Sequence, residues 1–208
     1  SRRSLPPLID TGHHGDEREY ADLLGISPDE DPYPGWLAYY LYRAGFLNED
    51  SEYISLLSTL TGADEGDCQA YLEHTWLDPE FPARHAEVIE ELASEHSLFL
   101  FGNMVRPWIA TVLRRHDVLD CFDALFISSD LERPKPHPRG YVRCLEGEDD
   151  TVVMVSDEFN EDLLMAQCLG MTTVWVESEA EDPYRQPDYT VDGFEGVPGV
   201  LEEIRSEE

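Results

Sequence analysis

From residue 97 onward, short apolar runs and helical patterns take turns along the chain. Ser97 to Phe101, Ala124 to Ile127, Val152 to Val155 and Thr172 to Val176 read as strands, and Tyr189 to Val191 as a weaker fifth. Between them, Val105 to His116, Arg139 to Leu145 and Glu161 to Leu169 read as helices, the last closed by Gly170 in the position of a C-cap. Strands that are apolar along their whole length, with helices between them, have to be covered on both faces. That predicts an α/β fold: a three-layer, Rossmann-like core around a parallel sheet.

Residues 17–95 carry no strand pattern. Trp36 to Tyr42, Tyr53 to Leu60, Cys68 to Thr75 and Ala86 to Ala93 have amphipathic helical spacing, with breaks such as Thr61-Gly62-Ala63-Asp64 between them. The expected organisation is a core made of residues 1–16 and 85–208, with an all-helical cap inserted at 17–84. The aromatic side chains Trp36, Tyr39, Tyr40, Tyr42 and Trp76 would either pack that cap or line a pocket. Helical spacing favours packing.

The 208 residues hold 45 acids against 14 Lys and Arg, a formal net charge of −31. Such a surface repels phosphate backbones, so no nucleic-acid partner is expected. The acids are dispersed rather than gathered in a tail, and lysine occurs once, at Lys135. In this the chain resembles proteins that work in molar salt, where screening over about 3 Å removes self-repulsion. No run reaches the ~18 apolar residues that would span a bilayer, and Ser1 to Pro7 lacks a secretory apolar stretch. A cytoplasmic protein with no membrane partner is expected. Cys68, Cys121, Cys144 and Cys168 are far apart, which disfavours zinc and predicts small buried hydrophobic side chains.

Ligands of open α/β sheets bind beyond the carboxyl ends of the strands. There the chain places Gly102-Asn103, then Ser128-Ser129-Asp130 with Pro134-Lys135-Pro136 soon after, then Ser156-Asp157 with Asp162 beyond. Carboxylates hold Mg²⁺, and a lysine offers a point charge to a phosphoryl group. The set suits a phosphate ester of a small molecule together with a hard cation. The plainer alternative is a solvated acidic loop and a surface lysine.

The stretches "FLFGN", "KPHP" and "SDEFNED", in that order, resemble the haloacid dehalogenase-like (HAD) hydrolase superfamily in its helical-cap form. The likeness extends over residues 82–205. It implies Asp10, in "LIDTGHHG", as nucleophile and Mg²⁺ ligand, and the Gly12 carbonyl as a second ligand. It further implies Lys135 as the phosphate-stabilising cation, Asp157 and Asp162 as metal-site acids, and Gly102 with Asn103 at the substrate phosphate.

The chain departs from that pattern in three places. Gly12 stands where the family has an acid/base Asp, His14 where it has Thr, and Gly102 where it has Ser or Thr. Losing a positioned acid/base typically costs ~10²–10⁴-fold. His13 or His14 could replace the acid or bind a transition metal with Asp10 and Asp16, but a solvent-facing pair is the preferred reading. The functional expectation is a Mg²⁺-dependent phosphatase of a small metabolite that works through an aspartyl-phosphate. An impaired member kept for binding or regulation is the alternative, and a 2-haloacid dehalogenase-like activity ranks behind both.

Overall fold

A computed structural model describes residues 17–27, 33–79, 81–146, 151–177 and 184–207. The described residues begin with helices: α1 (Glu17–Leu24), α2 (Tyr33–Arg43), α3 (Asp50–Thr61), α4 (Glu65–Leu72) and α5 (Ala83–Glu95). The break expected at 61–64 is there. Gly62 takes the left-handed conformation (φ 76°) that ends α3, and the Asp64 carboxylate accepts from Gly66 N at 2.8 Å to open α4. The helix expected over Cys68 to Thr75 runs two residues beyond its expected end, because α4 continues into a π-type turn, Glu73–Leu77.

The rest alternates. It comprises β1 (Phe99–Gly102), α6 (Arg106–Arg115), β2 (Ala124–Ile127), α7 (Ser128–Leu131), α8 (Pro138–Leu145), β3 (Val153–Ser156), α9 (Leu164–Cys168), β4 (Thr172–Val176), β5 (Tyr189–Val191) and α10 (Val197–Glu207). Every strand pair among the described residues is parallel. β1 pairs with β2, Gly102 opposite Ile127, and β3-β4-β5 form a second group, Ser156 opposite Trp175.

Period-two alternation sorts the strand side chains onto two faces. Leu100, Leu125, Val153, Val155, Val174 and Val176 meet Ile89 and Leu92 of α5, Ile109 and Leu113 of α6, and Val197 and Ile204 of α10. Phe101, Phe126 and Met154 turn the other way, onto Tyr141 and Cys144 of α8 and Ala166 of α9. Helices on both faces of parallel strands make the three-layer core expected from the apolar runs. Helices α1 to α4, with the turn Glu73–Leu77, form a cap with its own apolar interior, including Leu24, Tyr39, Tyr53, Leu57, Leu72 and Trp76. Val105 and Trp108, at the start of α6, belong to that interior as well.

Two expectations need correction. Cys68 and Cys144 are buried, but Cys121 is only partly buried and Cys168 is exposed, since it ends α9 on the solvent side. The helix read as starting at Glu161 begins instead as a π-type turn, Phe159–Leu163. No helix among the described residues is long and apolar enough to cross a membrane.

Candidate functional site

Lys135 sits between two prolines, so its N–H is the single backbone donor of residues 134–136. That donor goes to Asn103 Oδ1 at 2.6 Å, and Asn103 Nδ2 donates back to the Lys135 carbonyl at 3.2 Å. Asn103 immediately follows β1. The Lys135 side chain reaches the π-type turn that follows β3: its Nζ lies 2.5 Å from Asp162 Oδ2, with only 7% and 4% of the two side chains exposed. The ammonium also lies 5.4 Å from the centre of the Phe101 ring.

Asp162 is held by its surroundings. Ser156, the last residue of β3, donates its hydroxyl to Asp162 Oδ2 at 2.8 Å. The Tyr141 hydroxyl, from α8, lies 3.1 Å from the carbonyls of both Glu161 and Asp162. A buried ion pair tied down in this way is costly to break from one side, about 3–5 kcal/mol.

Asp157 follows β3 directly, and its carbonyl accepts from the Trp175 indole of β4 at 3.1 Å. Burial, with Glu158 alongside, pushes its carboxyl up to about 7. Asp157 Oδ1 and Asp162 Oδ1 are both buried, and neither has a hydrogen-bond partner among the described residues. Buried oxygens without a donor call for an explanation, and a hard cation supplies one. Mg²⁺ takes oxygen ligands, keeps several waters, and needs few carboxylates from the protein. Two carboxylate oxygens fit such an ion, although no set of three or more Asp, Glu, His or Cys side chains gathers among the described residues. Asp10, Gly12, His13 and His14 lie outside the described residues.

Gly102 closes β1 without a positive φ. A Cβ added there would meet Ile127 Cδ1 and Met104 Cγ at 3.8 Å, ordinary contact. The missing hydroxyl therefore does not reflect missing space. Asn103, expected beside a phosphate, spends its side chain on the Lys135 backbone.

The cap reaches the same loop. Tyr39, on α2, donates its hydroxyl to the Asn103 carbonyl at 2.9 Å. Burial pushes this phenol up to about 12, with the Arg43 guanidinium pulling the other way, so it stays protonated and able to donate. Of the five cap aromatics named from the sequence, Tyr39, Tyr42 and Trp76 are buried, as packing requires, and Tyr40 is 45% exposed. Sequence reasoning missed the parts of Tyr39, Tyr141 and Ser156. Only Ser156 left a trace, as a hydroxyl at the end of an apolar run, just ahead of an acid.

The model of the haloacid dehalogenase-like hydrolases matches residues 19–170. The chain belongs to that family. No curated protein matches the sequence. Among solved structures, the HAD-hydrolase YfnB from Bacillus subtilis, bound to magnesium, is 18% identical. The match covers 94% of each chain, with a TM-score of 0.68. The L-2-haloacid dehalogenase from Xanthobacter autotrophicus is 19% identical over 94% of each chain, at 0.62. A HAD phosphatase from Thermococcus onnurineus is 20% identical, over 89% of this chain and 86% of the other, also at 0.62. At these identities the likeness is one of fold, and it supports a HAD-like core with a helical cap.

Proposed function

We propose that this HAD-like hydrolase is a Mg²⁺-dependent phosphatase of a small phosphorylated metabolite. Residues 17–84 would serve as the cap over a core of 1–16 and 85–208. The observation that carries the reading is the Lys135–Asp162 pair beside Asp157, with two buried carboxylate oxygens left unpartnered at the strand ends.

In this reading an Asp10 oxygen attacks phosphorus and the P–O bond to the leaving group breaks, giving an aspartyl-phosphate. Water then attacks that phosphorus, inorganic phosphate departs, and the Asp10 carboxylate is restored. Lys135 faces the charge on the transferred phosphoryl oxygens. Asp10, the Gly12 carbonyl, Asp157 and Asp162 would hold the metal. When bound, Mg²⁺ offsets phosphate charge and orients the ester. Gly12 has no side chain to protonate a departing alkoxide, so esters with acidic leaving groups are favoured. Gly102 and Asn103 would meet the phosphate through their backbone N–H groups. The dispersed acids support work in a salt-rich cytoplasm, with a small molecule rather than nucleic acid as partner.

A second reading, an impaired member kept for binding, is favoured by Gly102, which offers no hydroxyl although a Cβ there would meet only ordinary contacts. Metal-independent dehalogenation ranks third, because it would leave the buried Asp157 Oδ1 and Asp162 Oδ1 without a cation to explain them.

Aryl phosphate hydrolysis in molar KCl, with and without Mg²⁺, separates the first two. Wild type is compared with Asp10→Asn and Asp157→Asn. Mg²⁺-dependent turnover that falls at least about 100-fold in both variants is the expected result. Folded wild type turning over no faster than the variants would overturn the phosphatase reading in favour of the second.

A further inference from the structure

We propose that Asn103 is a positioning residue for Lys135, and that the cap residue Tyr39 acts on the same site through it. This rests on the reading of Lys135 as the phosphate-facing cation.

Pro134 and Pro136 leave the lysine segment one backbone donor, and the Asn103 amide takes it while also donating to the Lys135 carbonyl. A side-chain amide that pairs with both the N–H and the C=O of one residue imitates a strand neighbour. It fixes where the lysine leaves the backbone, as Asp162 fixes where the ammonium ends. The pairing leaves the Asn103 side chain little capacity for anything else. Its own carbonyl is the acceptor for Tyr39 at 2.9 Å, so one residue ties the cap to the loop that carries the lysine. Tyr39 is held from behind by its stacking on Trp76, ring centres 4.2 Å apart. A displacement of α2 therefore passes to Asn103 and on to Lys135.

The chain has a single lysine, which makes a direct test possible. Protein grown on ¹³C-labelled lysine gives one Lys135 Cε resonance. It is recorded in molar KCl for wild type, Asn103→Ala, Tyr39→Phe and Tyr42→Phe, each checked as folded by its near-UV spectrum. Tyr42 lies in the same cap interior, but its hydroxyl goes to Asp50, so it serves as control.

The resonance is expected to move by several linewidths in Asn103→Ala, to move less in Tyr39→Phe, and to stay in place in Tyr42→Phe. With an aryl phosphate, kcat is expected to fall about tenfold or more in Asn103→Ala with KM nearly unchanged. A resonance unmoved in Asn103→Ala overturns the positioning role, and one unmoved in Tyr39→Phe overturns the coupling to the cap. Should Asn103→Ala not fold, Asn103→Asp, which loses the donor to the Lys135 carbonyl, is read in its place by the same criterion. A moving resonance in a protein without phosphatase activity would uphold the positioning and defeat the functional reading, so the two fail separately.

Discussion

At the scale of the residue, Gly102 is the departure from the family pattern most open to experiment. Its φ is ordinary and a Cβ there would make only van der Waals contact, so Gly102→Ser should change stability by no more than about 0.5 kcal/mol. A hydroxyl at the end of β1 adds a donor where phosphate charge would be met. Donors of that kind are worth about 10²-fold or more in other enzymes. Aryl phosphate turnover in Gly102→Ser is expected to rise about tenfold or more, and a steady-state assay beside a denaturant melt checks both statements. Unchanged turnover would mean that the phosphate does not lie against β1.

At the scale of the element, the site depends on how closely α8 lies against β1. A Cβ at Gly140 would come within 2.4 Å of Phe101 Cζ, inside any tolerable contact. Helix propensity alone favours alanine by about 1 kcal/mol, while forcing an extra carbon into a packed core costs about 1–3 kcal/mol. The clash should win. Phe101 cannot swing aside, because it meets Tyr141 edge-on with ring centres 4.8 Å apart and lies beneath the Lys135 ammonium. Gly140→Ala is therefore expected to be destabilised by about 1–2 kcal/mol in urea unfolding, despite its better helix former.

This scale also shows what a reader of the sequence can recover. The strands stand out because they are short, mostly apolar runs between helical patterns, and Gly62 and Gly170, both at positive φ, mark helix ends. The π-type turn at Phe159–Leu163 does not stand out, since its acids look like an ordinary helix start. Asp157 and Asp162 draw notice as acids soon after an apolar strand, and Lys135 as the one lysine, set between prolines. The pairing of Asn103 with Lys135 does not, because its partners lie 32 residues apart and nothing local requires them to meet.

At the scale of the whole molecule, cap and core share Trp108. It is fully buried, T-shaped against Tyr42 and Tyr53 at 5.2 and 5.1 Å, and stacked near Trp76 at 5.7 Å. Its indole N–H donates to Asp50 Oδ1 at 2.7 Å, so a core helix is hydrogen-bonded to a cap helix. The ion pairs of Arg84, Arg115, Arg143 and Arg205 are all well exposed and contribute little by comparison. Trp108→Ala should cost about 3–5 kcal/mol. Wild type should melt in one transition seen equally by far-UV and aromatic signals, because the two layers lack separate interiors at this point. Two resolved transitions in wild type would show that the shared residue does not couple them.

Trp108 also bears on how such a protein could change its substrate in evolution or in the laboratory. A cap that kept its packing to itself could be exchanged for another like a fitting. Here the interior of the helical layer is completed by Val105 and Trp108, which lie in sequence beyond β1. A transplant cut at the ends of residues 17–84 would leave the donor layer with a hole and the recipient helix with a stranded indole. A chimera has to carry the first turns of α6 with the cap, so recombination here would inherit part of the core together with the lid.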